Sequence, residues 1–317
     1  MITTVLFLNV LTATPIALPG GPPVGMDYLA FDPVNHRVWV PAGNTGNVDV
    51  IDAATGKVTA VGGFPTAPSQ RPGRPNSGPS SATIGDGVVW IGNRADKKLC
   101  AVDSKTLEKK NCVELTSSPD GLQYVPSTHE LWVTTPRDGS LTIIDTTGKA
   151  APAIIKVDGP EGYALDSVHG LYFTNQEDKD KTLAIDIKTR KIVSTWEPGC
   201  GKEGPRGLAI DVARRLLFVA CTDGAATLDL AHDGKVLGRI KTGAGVDNID
   251  YSVDRKSLYI ASGKDSTLTI AKVADNGALS VAATATTSEG ARNAVVDSTG
   301  AAYCADSRNG RILVVKP

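Results

Sequence analysis

LWVTT, at residues 131–135, is one of seven short stretches in which an aromatic residue precedes small or polar residues. The aromatic position recurs every 40 to 51 residues along the chain. Self-similarity with a period of about 40 to 50 residues is typical of repeat folds such as β-propellers, in which one repeat forms one blade. The other six stretches are VWVPAG (38–43), VWIGN (89–93), LYFTN (171–175), LFVAC (217–221), LYIAS (258–262) and AYCAD (302–306).

Each unit around an aromatic position has room for four short strands. An opening phrase with Gly and Pro leads into an apolar run that ends in Asp, as in GPEGYALD (159–166) and GPRGLAID (204–211). A later run ends at a Thr-Gly or Asp-Gly pair, as in VIDAATGKV (50–58), and such pairs are strong hairpin signals. No segment has helical periodicity over ten residues or more. The sequence therefore predicts an all-β, seven-bladed β-propeller of four-stranded antiparallel blades.

The last unit has room for only three strands, so we expect VLFLNVLTATPIAL (5–18) to supply the fourth and close the ring. Closure would remove the sheet edges that an open array exposes. Six blades with an extended tail are the alternative, which the seven aromatic positions disfavour. The single domain, 1–317, is then divided into blades near 22–68, 73–117, 118–159, 160–204, 205–245, 246–290, and 291–317 with 3–18.

Charge and cysteine usage restrict the class of protein. The net charge of −1 gives no global field for nucleic acid or an anionic membrane, and no apolar run reaches about 18 residues, so we expect neither partner nor a membrane span. We expect a monomer.

Cysteine positions predict two disulfides. Cys100 and Cys112 flank a predicted hairpin almost symmetrically, where opposed cross-strand positions favour a bridge. Cys200 and Cys221 fall in two loops on one predicted face, and Cys304 is left over. Five reduced thiols are the alternative. Two bridges would favour an oxidising compartment, either the periplasm or the outside of the cell. The first 20 residues lack the basic start of a signal peptide, so we expect a strand there and an export signal absent from this chain.

The opening phrases predict a polar ring at the mouth of the central channel. Residues that lead into the innermost strands lie at this mouth, and the aligned position is polar in all seven blades, whereas core-facing positions are apolar. Charges at a narrow, poorly solvated opening interact strongly with one another and with an entering ligand. We therefore predict a ligand-binding site, with mutual neutralisation between blades as the alternative. The ring positions are Asp27, Ser80, Asp120, Glu161, Arg206, Asp247 and Arg292, with Ser81, Asn248 and Asn293 beside them.

Two insertions are predicted on the mouth face. Arg71 and Arg74, within the insertion 67–81, could lean over the opening and favour an anion; a flexible, proline-stiffened loop is the alternative. The insertion 197–204 contains Cys200 and could be pinned by it.

The four histidines are predicted in turns on the opposite face, in separate blades. A Ser–His–Asp triad would need a histidine on the mouth face, and no GxSxG, HExxH or P-loop motif is present. The predicted turn histidines are His36, His129, His169 and His232.

The LYFTN (171–175) and VIDAATGKV (50–58) stretches resemble the repeats of the YVTN, or YncE-like, bacterial propellers, and the resemblance covers nearly the whole chain. It implies a periplasmic or secreted binding propeller, without a cofactor, that engages a small molecule or a protein at the channel mouth. The WD dipeptide of intracellular WD repeats and the tryptophan-docking motif of quinoprotein dehydrogenases are both missing.

An enzyme with a metal at the channel mouth is the alternative function. It would be similar in plan to the gluconolactonase, paraoxonase and strictosidine-synthase propellers, which hold calcium or zinc at this level. Carboxylate and amide oxygens suit such cations, and Glu161 with Asp120 would then be the acid–base pair. Because Arg206 and Arg292 would oppose a divalent cation, we expect a binding protein rather than a hydrolase. The alternative ligands are Asp120, Glu161, Asp247 and Asn248.

Overall fold

The chain forms seven antiparallel sheets that surround a central channel, as the sequence predicts. The computed structural model describes residues 9–69 and 72–317. The inner strand of each sheet contacts the inner strand of the next, and the seventh contacts the first, so the ring is closed. The sheets are called blades one to seven in chain order.

Two strands precede the first blade: β1 (Asn9–Leu11) and β2 (Ala13–Ala17). Blade one contains β3 (Ala30–Asp32), β4 (Arg37–Ala42), β5 (Asn47–Asp52) and β6 (Val58–Val61). Blade two contains β7 (Pro79–Gly85), β8 (Val88–Asn93), β9 (Lys98–Asp103) and β10 (Lys109–Glu114). Blade three contains β11 (Leu122–Val125), β12 (Glu130–Thr135), β13 (Ser140–Asp145) and β14 (Ala153–Lys156).

Blade four contains β15 (Pro160–Asp166), β16 (Leu171–Gln176), β17 (Lys181–Asp186) and β18 (Lys191–Trp196). Blade five contains β19 (Pro205–Asp211), β20 (Leu216–Cys221), β21 (Gly224–Asp229) and β22 (Lys235–Lys241). Blade six contains β23 (Val246–Ser252), β24 (Ser257–Ser262), β25 (Thr267–Val273) and β26 (Leu279–Thr286). Blade seven contains β27 (Ala294–Val296), β28 (Ala302–Asp306) and β29 (Arg311–Val315).

Helical structure in the described residues is limited to single 3-10 turns between the second and third strands of four blades. These turns are Gly43–Thr45, Pro136–Asp138, Glu177–Lys179 and Ser307–Asn309.

The hairpin between the third and fourth strands is stabilised by an aspartate that closes the turn. In blade one, Asp52 Oδ1 accepts hydrogen bonds from the backbone N–H and the hydroxyl of Thr55, both at 2.8 Å. Asp186 accepts the same pair of bonds from Thr189 in blade four. A short polar side chain that bonds the backbone a few residues later fixes such turns, which explains the recurring Asp before Thr-Gly.

The aromatic positions form the core of the blades. Trp39, Trp132, Tyr259 and Tyr303 are among the largest fully buried side chains. Blade four differs from the sequence alignment in one detail. Strand register places Phe173 opposite Ala164, just as Phe218 lies opposite Ala209 in blade five. The structural equivalent of the other aromatic residues is therefore Phe173 rather than Tyr172, although both are buried.

The N-terminal segment closes the ring. β2 pairs antiparallel with β29, from Ala13 opposite Val315 to Ala17 opposite Arg311, and completes blade seven as predicted. β1 instead pairs in parallel with β26 and adds a fifth strand to blade six. The sequence did not predict this addition, which covers an outer edge whose backbone groups would otherwise face solvent. Residues 3–8 of the predicted closing strand lie outside the described residues.

The structure confirms both predicted disulfides. Cys100 and Cys112 lie directly opposite each other on β9 and β10, and Cys200 bonds to Cys221 at the end of β20. Cys304 is buried and unbridged. Two bridges suit an oxidising compartment.

The four histidines lie in exposed turns. His36 and His129 lie in the turns between first and second strands with φ of 52° and 53°, and His169 and His232 bond nearby aspartates in similar surface turns. Within the described part of the chain, no helix has the length and apolar character needed to traverse a bilayer.

Candidate functional site

The opening phrases of blades one, two and four are each held against the loop that connects the second and third strands of the same blade. The carbonyl of Gly78 accepts a hydrogen bond from Arg94 N at 3.0 Å, and that of Gly159 accepts one from Glu177 N at 3.2 Å. The same bond joins Gly25 to Gly43 at 2.8 Å. Residues that begin these loops therefore lie beside the ring positions, which follow two residues after each glycine.

Glycine is required here by close approach. A Cβ on Gly78 would lie 1.9 Å from the carbonyl oxygen of Gly43 in the preceding blade. A Cβ on Gly204 would lie 1.3 Å from the carbonyl oxygen of Glu177, and Gly204 also has a φ of 69°. The Gly-Pro phrase of one blade therefore packs closely against the loop between the second and third strands of the preceding blade.

Arg94 joins two ring acids from different blades. Its Nη2 lies 2.7 Å from Asp27 Oδ2 and also contacts Asp120 Oδ1. The three side chains are only 29%, 15% and 16% exposed in the order Arg94, Asp27, Asp120. Burial raises the pKa of Asp120, and the Arg94 guanidinium opposes that rise. Paired in this way, the two carboxylates link blades one and three through the loop of blade two.

Arg292 provides a second link through Asp27. Its Nε lies 3.2 Å from Asp247 Oδ2, and its Nη2 lies 3.8 Å from Asp27 Oδ1. Asn293 donates its amide Nδ2 to the Asp27 carbonyl at 3.0 Å and to Asp27 Oδ1 at 3.2 Å. Burial raises the pKa of Asp247 to about 6 even though Arg292 opposes this. Asp27 is therefore the centre of a network that spans blades one, two, three, six and seven.

Arg206 is paired outside this network. Its Nη1 contacts the carboxylate of Glu177, which begins the loop of the neighbouring blade. Arg94, Arg206 and Arg292 thus each have at least one carboxylate partner.

Glu161 differs from the other ring acids. The Tyr28 hydroxyl donates a 2.7 Å hydrogen bond to Glu161 Oε1, and no lysine or arginine in the described residues pairs with this carboxyl. Burial, followed by the charges of Asp120 and Asp247, raises the pKa of Glu161 well above its ordinary value. The Glu161 carboxyl therefore favours its protonated, neutral form, and a positive charge placed beside it would favour the ionised form instead.

A small polar cavity of about 150 Å³ lies directly beneath the ring. Asn248 lines it, and the buried amide Nδ2 of this half-buried side chain has no hydrogen-bond partner among the described residues. The rings of Tyr28 and Tyr163, with centroids 5.5 Å apart, lie across the channel at the same level. The lining residues are Asp27, Tyr28, Leu29, Tyr163, Leu208, Asn248, Ile249, Asp250, Asn293, Ala294 and Val295.

Some of the predicted site residues contact one another in the structure, and others do not. Asp27, Asp120, Asp247, Arg292 and Asn293 form one network, joined to Asn248 by a 3.3 Å bond from its backbone N–H to Asn293 Oδ1. Ser80 and Ser81 are buried, and the Ser81 hydroxyl has no partner within the described residues. Arg74 is exposed and makes no ion pair with any described residue, whereas Arg71 lies outside the described residues.

Sequence reasoning missed four side chains at this site. Arg94 and Glu177 each occupy the first position after the second strand, where the other blades have Gly, Pro, Thr or Ser. The charge at that position was the sequence signal that could have identified Arg94 and Glu177 as residues of the site. Tyr28 stands next to a ring position where other blades have Gly, Ser or Asn, and Tyr163 reaches the channel because Gly121 leaves room for its ring.

Across residues 9–69 and 72–317, no three histidine, cysteine or acidic side chains converge as ligands for a metal ion.

Comparison with solved structures shows the propeller fold. A chain of the mitotic checkpoint complex is 14% identical with a TM-score of 0.80, covering 99% of this chain and 94% of that one. Virginiamycin B lyase from Staphylococcus aureus is 15% identical with a TM-score of 0.74, covering 96% of this chain and 99% of that one. Kuenenia stuttgartiensis hydrazine synthase is 14% identical with a TM-score of 0.76, covering 100% of this chain and 99% of that one.

No protein-family profile matches the chain, and no curated protein sequence matches it significantly. At identities this low, the similarity to solved structures establishes a seven-bladed β-propeller and nothing finer.

Proposed function

We propose that this protein is an exported, YncE-like binding propeller that holds a small, positively charged ligand at the mouth of its central channel. Glu161 is the counter-ion in this proposal. One observation carries it: Arg94, Arg206 and Arg292 each pair with a carboxylate, whereas the Glu161 carboxyl has only the Tyr28 hydroxyl.

The surroundings of Glu161 support a cation rather than an anion. An entering anion would compete with Asp27, Asp120 and Asp247 for arginines that are already engaged. A cation would relieve the repulsion that these acids impose on Glu161. The cavity below adds Asn248, whose amide Nδ2 has no partner among the described residues and could bond a ligand that enters from above.

The size of the cavity supports a compact ligand. A volume of about 150 Å³ is below the roughly 300 Å³ at which pockets for drug-sized molecules begin. A primary amine, a guanidinium group or a protruding lysine side chain of a partner protein has the appropriate size. The two disulfides support a location in the periplasm or outside the cell, and a monomer is proposed because one chain closes the ring by itself.

A metal-dependent hydrolase is the second candidate, because the same acids could act as ligands for a metal ion. Asp120 and Asp247 would first have to release Arg94 and Arg292. Calcium and zinc are therefore included among the probes.

Thermal unfolding with a panel of probes tests this function. The probes are putrescine, methylguanidine, calcium chloride, zinc chloride and, as an anion, succinate. A cationic probe should raise the melting temperature, since a ligand at about 100 times its Kd adds about 2.7 kcal/mol, and succinate should not. Glu161→Gln should abolish the shift, and Glu203→Gln, on an exposed glutamate of the same face, should preserve it.

Two results would contradict the proposal. The first is stabilisation by succinate but by no cation. The second is an undiminished cation effect in Glu161→Gln. A shift with calcium or zinc alone, reversed by EDTA, would instead favour the metal-dependent alternative.

A further inference from the structure

The central channel contains a second cavity on the side opposite the ring. This far-face cavity has a volume of about 480 Å³ and shares Leu29 and Tyr163 with the small cavity under the ring. Tyr163, whose ring centroid lies 5.5 Å from that of Tyr28, therefore lines both cavities, whereas Tyr28 lines only the one under the ring. The far-face cavity is lined by Leu29, Ala30, Phe31, Asp32, Pro33, Val34, Ala82, Thr83, Ile84, Asp86, Gly87, Ser104, Gln123 and Tyr163.

The chemistry of the far-face cavity differs from that of the mouth. Leu29, Phe31, Ile84 and Tyr163 make its walls predominantly apolar. The described lining contains two carboxylates and no lysine, arginine or histidine. A volume within the roughly 300 to 1,000 Å³ range of small-molecule sites, apolar walls and a few polar groups are the general properties of a ligand pocket.

Asp86 is the carboxylate that a ligand could reach. The other, Asp32, is buried, and its oxygens accept bonds from Val34 and Asn35 within its own turn. Asp86 is 57% exposed at the rim of the cavity. Its Oδ1 accepts no hydrogen bond from the described residues, so one oxygen remains available.

Two side chains fix the position of Asp86. The Tyr124 hydroxyl donates a 2.5 Å bond to Asp86 Oδ2, and His129 Nδ1 lies 2.9 Å from the same oxygen. These hydrogen bonds lower the pKa of Asp86, which keeps the carboxylate ionised. The arrangement holds a negative charge in one place at the edge of an apolar pocket.

We propose that the far-face cavity is a separate binding site for an aromatic amine. The ring of the ligand packs against Leu29, Phe31 and Ile84, and its ammonium group pairs with Asp86. Charge complementarity selects this class, because an anion would meet carboxylates without a basic side chain in the lining. The site does not depend on Glu161 or on the function proposed for the mouth.

Matched ligands test the charge requirement. Tryptamine, tryptophol and indole-3-acetate share an indole ring and a short side chain, and they end in an ammonium, a hydroxyl and a carboxylate. Isothermal titration should show tryptamine binding at least tenfold more tightly than either of the others. Equal affinities for the three, or tighter binding of indole-3-acetate, would overturn the proposal.

Variants test the location. Asp86→Asn should weaken tryptamine binding at least tenfold without a change in melting temperature, and so should Val34→Lys, which adds a cation at an exposed rim position. Asp254→Asn, in the equivalent turn of blade six, is the matched control and should bind normally. Glu161→Gln should also bind normally, which separates this site from the mouth.

Crystals soaked with tryptamine provide the direct view. The expected result is an indole in the far-face cavity with its amine within about 3.2 Å of Asp86. Density at the mouth, or at no site, together with unchanged affinity in Asp86→Asn, would refute the assignment.

Discussion

At the scale of single residues, two arginines at the mouth of the channel form ion pairs with the same aspartate. Arg94 and Arg292 both contact Asp27, and each also holds an acid from another blade, Asp120 or Asp247. Because these carboxylates are largely buried, their charges require partners more than surface charges do. The ion pairs of the ring therefore connect different blades, and the ring is also a candidate binding site.

Replacing Arg94 by methionine should destabilise the fold. The change leaves Asp120 without a cation and Asp27 with only the 3.8 Å contact to Arg292. We expect a loss of about 3 kcal/mol in the free energy of unfolding, the lower end of what breaking a buried ion pair costs. Urea denaturation at pH 7 measures it. Arg308→Met, which breaks the exposed pair with Glu289, is the control and should change stability little; equal effects would contradict this role for Arg94.

Asp49 is a second buried acid, away from the mouth. It lies within β5, fully buried, and neither carboxylate oxygen has a hydrogen-bond partner among the described residues. Burial raises the pKa of Asp49 to about 7. Between about pH 4 and 7 the unfolded chain has therefore released this proton while the folded chain retains it, so stability falls as pH rises through this window.

Substituting Asp49 by valine should remove that part of the pH dependence. The variant should gain stability relative to the original chain as pH rises from 4 to 8, by on the order of 4 kcal/mol. Denaturation series at pH 4, 6 and 8 measure the difference, and Asp49→Asn, which is also uncharged, should flatten the profile similarly. A difference that does not vary with pH would show that Asp49 does not hold its proton in the folded state.

At the scale of elements, hairpins carry the fold and one of them is cross-linked. Cys100 is buried on β9, and its partner Cys112 lies on the exposed outer strand β10. The bridge therefore fastens an outer strand whose own side chains bury little apolar surface.

Removing this bridge should weaken blade two measurably. In the chain-entropy description, closing a loop of about this length contributes about 3 kcal/mol to the free energy of unfolding. The double variant Cys100→Ala with Cys112→Ser should therefore lose roughly 2 to 3 kcal/mol of that free energy. Urea denaturation without reductant makes the comparison. Unchanged stability would mean that the outer hairpin is already restrained when the rest of the protein unfolds.

The element scale also shows where sequence patterns are reliable. Asp followed three residues later by Thr identified the outer hairpins because the side chain of Asp52 or Asp186 bonds the turn locally. The anchor in blade four was misplaced by one residue, because LYFTN contains two adjacent aromatic residues, Tyr172 and Phe173. Only the pairing of Phe173 with Ala164 resolves which one is equivalent.

At the scale of the whole molecule, the ring depends on one joint between the chain ends. β2 completes blade seven by pairing with β29, and Leu18 and Ile16 pack with the cluster between blades one and seven. β1 adds only three residue pairs, at the outside of blade six.

Truncation should separate these two contributions. Deleting residues 1–12 removes β1 and should change the melting temperature by less than about 3 °C, whereas deleting 1–18 also removes β2. The longer deletion should lower it by roughly 10 °C, since a loss of several kcal/mol corresponds to a shift of that size, and should expose an aggregation-prone edge. Differential scanning calorimetry and size-exclusion chromatography report both effects; equal outcomes would mean that β2 does not hold the ring closed.

The sequence by itself determined the all-β repeat, the number of blades and the closing strand, and it predicted both disulfides. These follow from local signals, since turn chemistry, strand alternation and a fixed period are all written in neighbouring residues. Only the tertiary structure decided which charges pair: Arg94 with Asp27 and Asp120, Arg206 with Glu177, and Glu161 with Tyr28. It also decided that Leu29 and Tyr163 line two different cavities. The physical reason is that such contacts join residues many positions apart, whose distance is set by how the blades close around the axis.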